Sequence, residues 1–213
     1  MTEQMNVHKA LCELKTLDKR ITDGINAVSF VFANKHSNTK VLGMPVAEMC
    51  ESIRTAYQSV CDLMKRRDAI KRAVVHSNSV AKVTVAGKEY TVAEAIEMKN
   101  RGIPAKQLLI RKLTSDLRQA RSTAERSNGD DLERRAVDYI SRIYSSTDLK
   151  NGMSDEITKS KEDFIKAQTM EIVDPIGVEK IIKDMSDEVN AFVVDIDSQL
   201  SVSNATTIIE VEY

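Results

Sequence analysis

The chain has 213 residues but no tryptophan, 4% aromatic residues, seven glycines, three prolines and three cysteines. So little glycine and proline excludes collagen-like and low-complexity classes, and so little cysteine excludes a disulfide scaffold. Cys12, Cys50 and Cys61 are odd in number, match no CxxC spacing and fall within helical patterns, which predicts reduced thiols in a cytoplasmic protein. No apolar run approaches the roughly 18 residues that a membrane span needs. The longest are four-residue pieces, at Phe30 to Ala33 and Ala191 to Val194. The opening MTEQMNVHKALCELK lacks a basic head followed by an apolar stretch, so no export signal is expected. What remains is 42% apolar and 30% charged and rich in good helix formers, which predicts a soluble, mostly helical chain.

An excess of one charge is missing too. Thirty-one Lys and Arg against 32 Asp and Glu leave a net charge of −1, which argues against global attraction to nucleic acid or a membrane surface. The balance is a cancellation. Residues 154–213 carry 14 acidic and 5 basic side chains, or −9, which leaves +8 on residues 1–153. Either the acidic third covers the basic part, within the chain or on another subunit, or the basic part faces a ligand.

Val7, Leu11, Leu14, Ile21, Ile25, Val28 and Phe32 alternate steps of four and three, with Asp18 where one member is missing. That seam predicts a long first helix, broken by Ala33 to Asn38 and Gly43. Pro45 suits the first turn of a second helix, whose seam is Met49, Ile53, Ala56, Val60, Leu63, Ile70 and Val74, interrupted at Arg67. Two such seams on either side of a short loop predict an antiparallel helical hairpin. Paired end to end, the seams bring Asp18 and Arg67 about one turn apart. They are expected either to form an ion pair that fixes register or to snorkel out at the seam edge.

Alternation about Gly87 predicts a β-hairpin over about residues 79–91, followed by the capping-box spacing Thr91 to Glu94. The next helix should stop at Gly102 and restart at Pro104, with Leu109, Leu113, Leu117, Ala120 and Ala124 inward until Asn128-Gly129. Asp130 to Glu133 resembles a cap for a helix burying Leu132, Ala136, Ile140 and Ile143. Residues 145–153 read as a mobile loop, and Ser154 caps a helix to about Gln168. Asp174-Pro175 introduces the last long helix, with the seam Val178, Ile182, Met185, Val189, Phe192 and Ile196. Ser77-Asn78 and Ser203-Asn204 precede β-branched alternation at the same spacing. Both helices should therefore exit by the same route, with the asparagine in the left-handed conformation. The final strand, about 205–213, is expected to join the 79–91 hairpin, because an unpaired edge invites aggregation. The expected fold is mainly α, with long antiparallel coiled-coil-like helices and a small β-hairpin joined by a C-terminal strand. It forms one domain over residues 1–213, with 104–170 as an inserted or divergent helical subregion.

Asp62-Leu63-Met64-Lys65-Arg66-Arg67, Ser77-Asn78, the glycine-turned hairpin, Tyr90-Thr91-Val92-Ala93-Glu94-Ala95-Ile96-Glu97 and Asn204-Ala205-Thr206-Thr207 together resemble the septicolysin-like family of bacterial and phage proteins. The resemblance covers roughly residues 6–100 and 176–211 and rests on scaffold motifs. It implies long helices with a small sheet, and homo-oligomers. It carries over neither an activity nor any functional residue.

Chemistry is hard to find. His8, His36 and His76 belong to no HExxH and share no metal-ligand spacing with cysteine or carboxylate, so no metal site is expected. GxSxG, GxxxxGK[ST] and GxGxxG are all missing. The three cysteines read as small buried hydrophobes of helices, and Asp130-Asp131 and Asp155-Glu156 suit helix N-termini without acid–base work. A non-enzymatic protein without cofactor is the expectation.

Two basic groups stand out. Lys65, Arg66, Arg67, Lys71 and Arg72 cluster on the second helix, and residues 99–126 carry +6, with Arg111, Arg118 and Arg121 at helical spacing. Arginine forks suit phosphate oxygens, but the scarcity of aromatics argues against nucleic acid. Arg66, Lys71, Arg72, Arg111, Arg118 and Arg121 are therefore the candidate ligand-binding residues. The expected function is a non-catalytic homo-oligomeric binding protein, in its sharper form a phage anti-defence sponge for an anionic nucleotide-like signal. The alternative is a structural protein docking on a host or virion protein. A membrane-active reading comes last, because the apolar helix faces are needed for the core.

Overall fold

The computed structural model describes residues 2–144 and 154–212; the loop expected at 145–153 and Tyr213 lie outside the described residues. The fold is mainly α, as expected. The chain divides into two compact units, Met1–Gly102 with Ala191–Tyr213, and Ile103–Asn190.

In the first unit β1 (Thr2–Asn6) leads into α1 (Val7–Ala27), and a small hairpin, β2 (Lys40–Val41) and β3 (Met44–Pro45), leads into α2 (Val46–Val80). Of the expected seams, Val7, Leu14 and Ile21 of α1 and Val60, Ile70 and Val74 of α2 are buried; Ala10 and Leu17, outside the expected α1 seam, are buried with them, and Ile25, expected inward, is exposed. A β-carbon at Gly24 would lie 3.0 Å from the Val60 side chain, so the glycine permits the close approach of the two helices there. The first helix is shorter than its seam: it ends at Ala27, and Val28 is already extended. Val28 to Phe32 are β-branched and aromatic apart from Ser29 and favour helix poorly. Phe30 instead packs edge-on against Tyr57, with ring centroids 6.4 Å apart.

β4 (Lys82–Val85) and β5 (Lys88–Thr91) form the expected hairpin. The C-terminal strand does not join it. β6 (Ile208–Glu212) pairs antiparallel with β1, from Thr2↔Glu212 to Asn6↔Ile208. That pairing places Ile209 and Val211 with Met5 and Val7 in one core alongside Ala10, Leu14, Leu17, Ile70 and Val74, a burial that the β4–β5 hairpin does not offer.

The two ribbons are built alike. Ala81 N–H donates to the Ser77 carbonyl at 2.8 Å and Thr207 N–H to the Ser203 carbonyl at 2.9 Å, so each helix runs beyond its serine before the strand begins. Asn78 and Asn204 remain helical, and neither takes the expected left-handed conformation. Val92 N–H then donates to Ala81 O at 2.9 Å, as Val7 N–H does to Thr207 O at 3.0 Å. Thr91 caps α3 (Val92–Glu97) through Glu94 N–H in a full capping box, and Asn6 caps α1 through Lys9 N–H. Val83, Val85, Val92 and Ala95 are buried in one ribbon as Ile209, Val211, Val7 and Ala10 are in the other. One pair of strands is joined by the Ala86-Gly87 turn, while the other carries the two ends of the chain.

Gly102 does not stop the helix. A π turn over Met98–Gly102 follows α3, and α4 (Ile103–Asn128) follows it with no loop between. Pro104 has no N–H, and its ring crowds the carbonyl one turn back, which a wider turn accommodates. Gly102 has a packing role, because a β-carbon there would collide with the sulfur of Met98.

The second unit holds α4, α5 (Asp130–Ile143), α6 (Asp155–Gln168) and the start of α7 (Val178–Thr206). Leu132, Ala136, Ile140 and Ile157 are buried, Tyr139 stacks on Phe164 with centroids 4.4 Å apart, and the Tyr144 hydroxyl lies 2.9 Å from Ser160 Oγ. Ile143, expected inward, is exposed. Ser154 caps α6 as expected. Asp130 to Glu133 form no side-chain cap; Gly129 precedes α5, and the acids occupy its first turn, where the dipole favours them. On α4 the half-buried line runs through Ile110, Leu113 and Leu117, and Leu109 points outward. The Asn128 side chain bonds both the N–H and the carbonyl of Met170, each at 2.7 Å. Asp174 accepts from Ile176, Gly177 and Val178 N–H and so starts α7.

Candidate functional site

The six candidate cations divide by what holds them. Arg66, on the middle of α2, donates from Nη2 to Glu3 at 2.9 Å and from Nε to Glu13 at 2.5 Å, which joins β1, α1 and α2. Arg121 pairs with Glu179 inside the second unit. Both are structural ties, and the sequence reading missed their acidic partners. Lys71, Arg72, Arg111 and Arg118 are exposed, and no ion pair with a described residue engages them. Lys71 and Arg72 belong to the first unit, Arg111 and Arg118 to the second.

The basic stretch 99–126 meets the acidic third directly. Lys99 pairs with Asp197 within the first unit. Lys106 pairs with Glu188 at 2.7 Å within the second, as Arg121 does with Glu179. The last two pairs run in opposite chain directions, so α4 and the start of α7 lie antiparallel. Glu179, Glu188 and Asp197 follow one another at nine-residue intervals, a regularity that was legible in the sequence.

Asp18 and Arg67 do come together, Nε to Oδ1 at 2.7 Å. They sit at the edge of the seam, partly in water, and Arg67 also reaches Asp68 at 3.1 Å. The Asp18 hydrogen bond, with a smaller contribution from Asp68, holds the guanidinium above its ordinary pKa.

The depressions near these cations are electrically mixed. A groove of about 770 Å³ on α2 includes Arg54 and Arg66 but also Glu51 and Asp62. Arg72 and His76 line a hollow of about 350 Å³ together with Glu210 and Glu212 of β6. An anion entering either would meet carboxylates as well as cations. A third hollow, about 450 Å³, lies beside the π turn and is lined by Tyr90, Glu94, Glu97, Met98 and Gly102. There the Thr91 backbone N–H, then its side chain, hold the Glu94 carboxyl below its usual range.

The thiols form no disulfide, and against expectation none is buried: Cys12 is exposed and Cys50 and Cys61 are half-buried. Cys12 Sγ lies 3.9 Å from His8 Nε2 on an exposed face of α1, and the Cys61 thiol, through a hydrogen bond, raises the Tyr57 hydroxyl above its ordinary pKa. Among the described residues no cluster of three or more His, Cys, Asp or Glu is placed to hold a metal, and no helix is long and apolar enough to cross a membrane. No family model, no curated protein and no solved structure matches this chain.

Proposed function

We propose that the protein is a non-catalytic, self-associating interaction protein that docks on a host or virion protein in the bacterial cytoplasm. The observation that carries this reading is α4, 26 residues long, whose buried residue is Ile103. Ile110, Leu113 and Leu117 are only half-covered, and Leu108 and Leu109 are 62% and 45% exposed. Apolar residues at coiled-coil spacing, left this open within one chain, are what a partner helix covers. The resemblance to the septicolysin-like family supports homo-oligomers, and three unpaired thiols support a reducing compartment. Analytical ultracentrifugation tests the reading. A species heavier than the 23.8 kDa chain is expected, reverting toward monomer in Leu108→Glu/Leu109→Glu. A chain monomeric at every soluble concentration overturns it.

Sequestration of an anionic nucleotide-like ligand, as a phage-encoded anti-defence sponge, is the second reading. It draws on Lys71, Arg72, Arg111 and Arg118, the four candidate cations that no ion pair with a described residue engages. A nucleotide present at about 100 times its dissociation constant should add about 2.7 kcal/mol of stability. No melting shift with any nucleotide or cyclic nucleotide removes this reading.

A further inference from the structure

Between Asp23 and Glu48 lie 24 residues without one carboxylate, and the charges among them are Lys35 and Lys40, with His36 beside them. All three are exposed. In a chain with 30% charged residues of both signs, this is a stretch whose own charges are all cationic, bounded by Glu48 in the first turn of α2. At its end the uncharged segment Val41-Leu42-Gly43-Met44-Pro45-Val46 folds into the β2–β3 hairpin, with Leu42 and Gly43 as the turn.

Leu42 is in the wrong place for folding. It is 93% exposed, so it contributes nothing to a core. Its φ is +49° and that of Gly43 +83°, the turn geometry that Asn-Gly fits and a branched apolar side chain does not. Leucine therefore has neither burial nor backbone ease to recommend it, and strain retained without internal benefit points to a role outside the fold. The frame beneath it is ordered. Asn38 N–H donates to the Lys35 carbonyl at 2.9 Å and Val46 N–H to the Thr39 carbonyl at 3.1 Å, Asn34 and Asn38 bond one another at 3.1 Å, and Phe30 packs the incoming segment on Tyr57.

We propose that this tip docks on an anionic lipid surface, with Leu42 and Met44 entering the headgroup boundary and Lys35 and Lys40 meeting lipid phosphates. The chemistry matches on both counts. Apolar tips gain from leaving water at the acyl boundary, and the lysines beside them, with no carboxylate in their own segment, are drawn to a negative leaflet. The inference goes beyond the self-association reading and uses a different surface, the tip before α2 rather than α4.

The test is co-flotation of the full chain with vesicles of phosphatidylglycerol mixed with phosphatidylcholine, against phosphatidylcholine alone. Binding to the anionic vesicles, weakened by added salt and about tenfold weaker in Leu42→Asn, is the expected result. Lys35→Glu/Lys40→Glu should weaken it at least as much. Leu42→Asn fits the turn better, so an unchanged or higher melting temperature shows that the loss of binding is not unfolding. Failure of the wild type to bind, equal binding to neutral vesicles, or equal binding by Leu42→Asn overturns the proposal. So does a Leu42→Asn chain that loses self-association or a protein partner while vesicles bind neither form. A Leu108→Glu/Leu109→Glu chain that becomes monomeric yet still floats separates this inference from the function proposed above.

Discussion

Arg67 donates to Asp18 across the α1–α2 interface at 2.7 Å, at the position where each helix omits an apolar residue from its seam. Both side chains keep water contact, 37% and 56% exposed, and exposed pairs contribute little to stability. Their arrangement suits register better than strength. Asp18→Leu is expected to shift the melting temperature by about 3 °C or less. Asp18→Arg, which sets two cations together, should lower it further, and adding Arg67→Asp should recover most of that loss. Thermal melting of the four chains measures the coupling, and strict additivity would show that the contact has no role in register.

Asp195 offers a pH test. Its carboxylate accepts from Ala86 N–H at 2.9 Å and from the Gln199 amide at 3.1 Å, and these bonds, Ala86 first, hold its pKa below the usual range. The folded chain thus binds this proton less readily than the unfolded chain. The stabilisation is complete above the ordinary carboxylate range and is lost as pH falls through the lowered folded value. Asp195→Ala should melt below wild type near pH 7, and the gap should narrow toward about pH 3. A gap independent of pH would mean that Asp195 acts through packing alone.

Gly102 and Met98 compete for one space. Alanine normally favours a helix interior over glycine by about 1 kcal/mol. Here its β-carbon would overlap the Met98 sulfur, the far end of a flexible side chain that can rotate aside, so Gly102→Ala is expected to stabilise the native chain by less than that gain. In a Met98→Ala background the same change should stabilise by roughly 0.5–1 kcal/mol. Chemical denaturation of the four chains reads the difference, and equal gains in both backgrounds would show that Met98 moves at no cost.

β6 is expected to be structural. Ile209 is 5% and Val211 0% exposed, and full burial of such side chains contributes about 1.5–3 kcal/mol each. Deleting residues 208–213 should therefore cost several kcal/mol and uncover Met5 and Val7, visible as a lower denaturation midpoint. A deletion without effect would mean that the β1–β6 ribbon is dispensable.

Much of this was legible in the sequence where the signal is local. The α2 seam, part of the α1 seam, the capping box at Thr91 and Glu94, the Ser154 cap and the likeness of the two helix-to-strand exits, though not their backbone conformation, each depend on residues a few places apart. β1 was not legible: Thr2-Glu3-Gln4-Met5-Asn6 has no strand alternation, and its partner β6 lies at the far end of the chain. The π turn was hidden because glycine followed by proline two residues later ordinarily reads as a break. At the candidate site the cations were legible and their partners were not. Arg66 finds Glu3 and Glu13 through contacts 63 and 53 residues apart, and Leu42 looked ordinary until its backbone and exposure were known.

The likeness of the two ribbons bears on how the chain could be rethreaded. Where Ala86-Gly87 joins β4 to β5, the first and last strands run side by side with Thr2 opposite Glu212. Within the first unit the β1–β6 pair therefore stands as a hairpin does, without a turn between its strands. A circularly permuted chain, closed by a short flexible linker between β6 and β1 and opened at Ala86-Gly87, should reach the same native state. Moving the break from one ribbon to the other would then alter the order of folding events more than their destination.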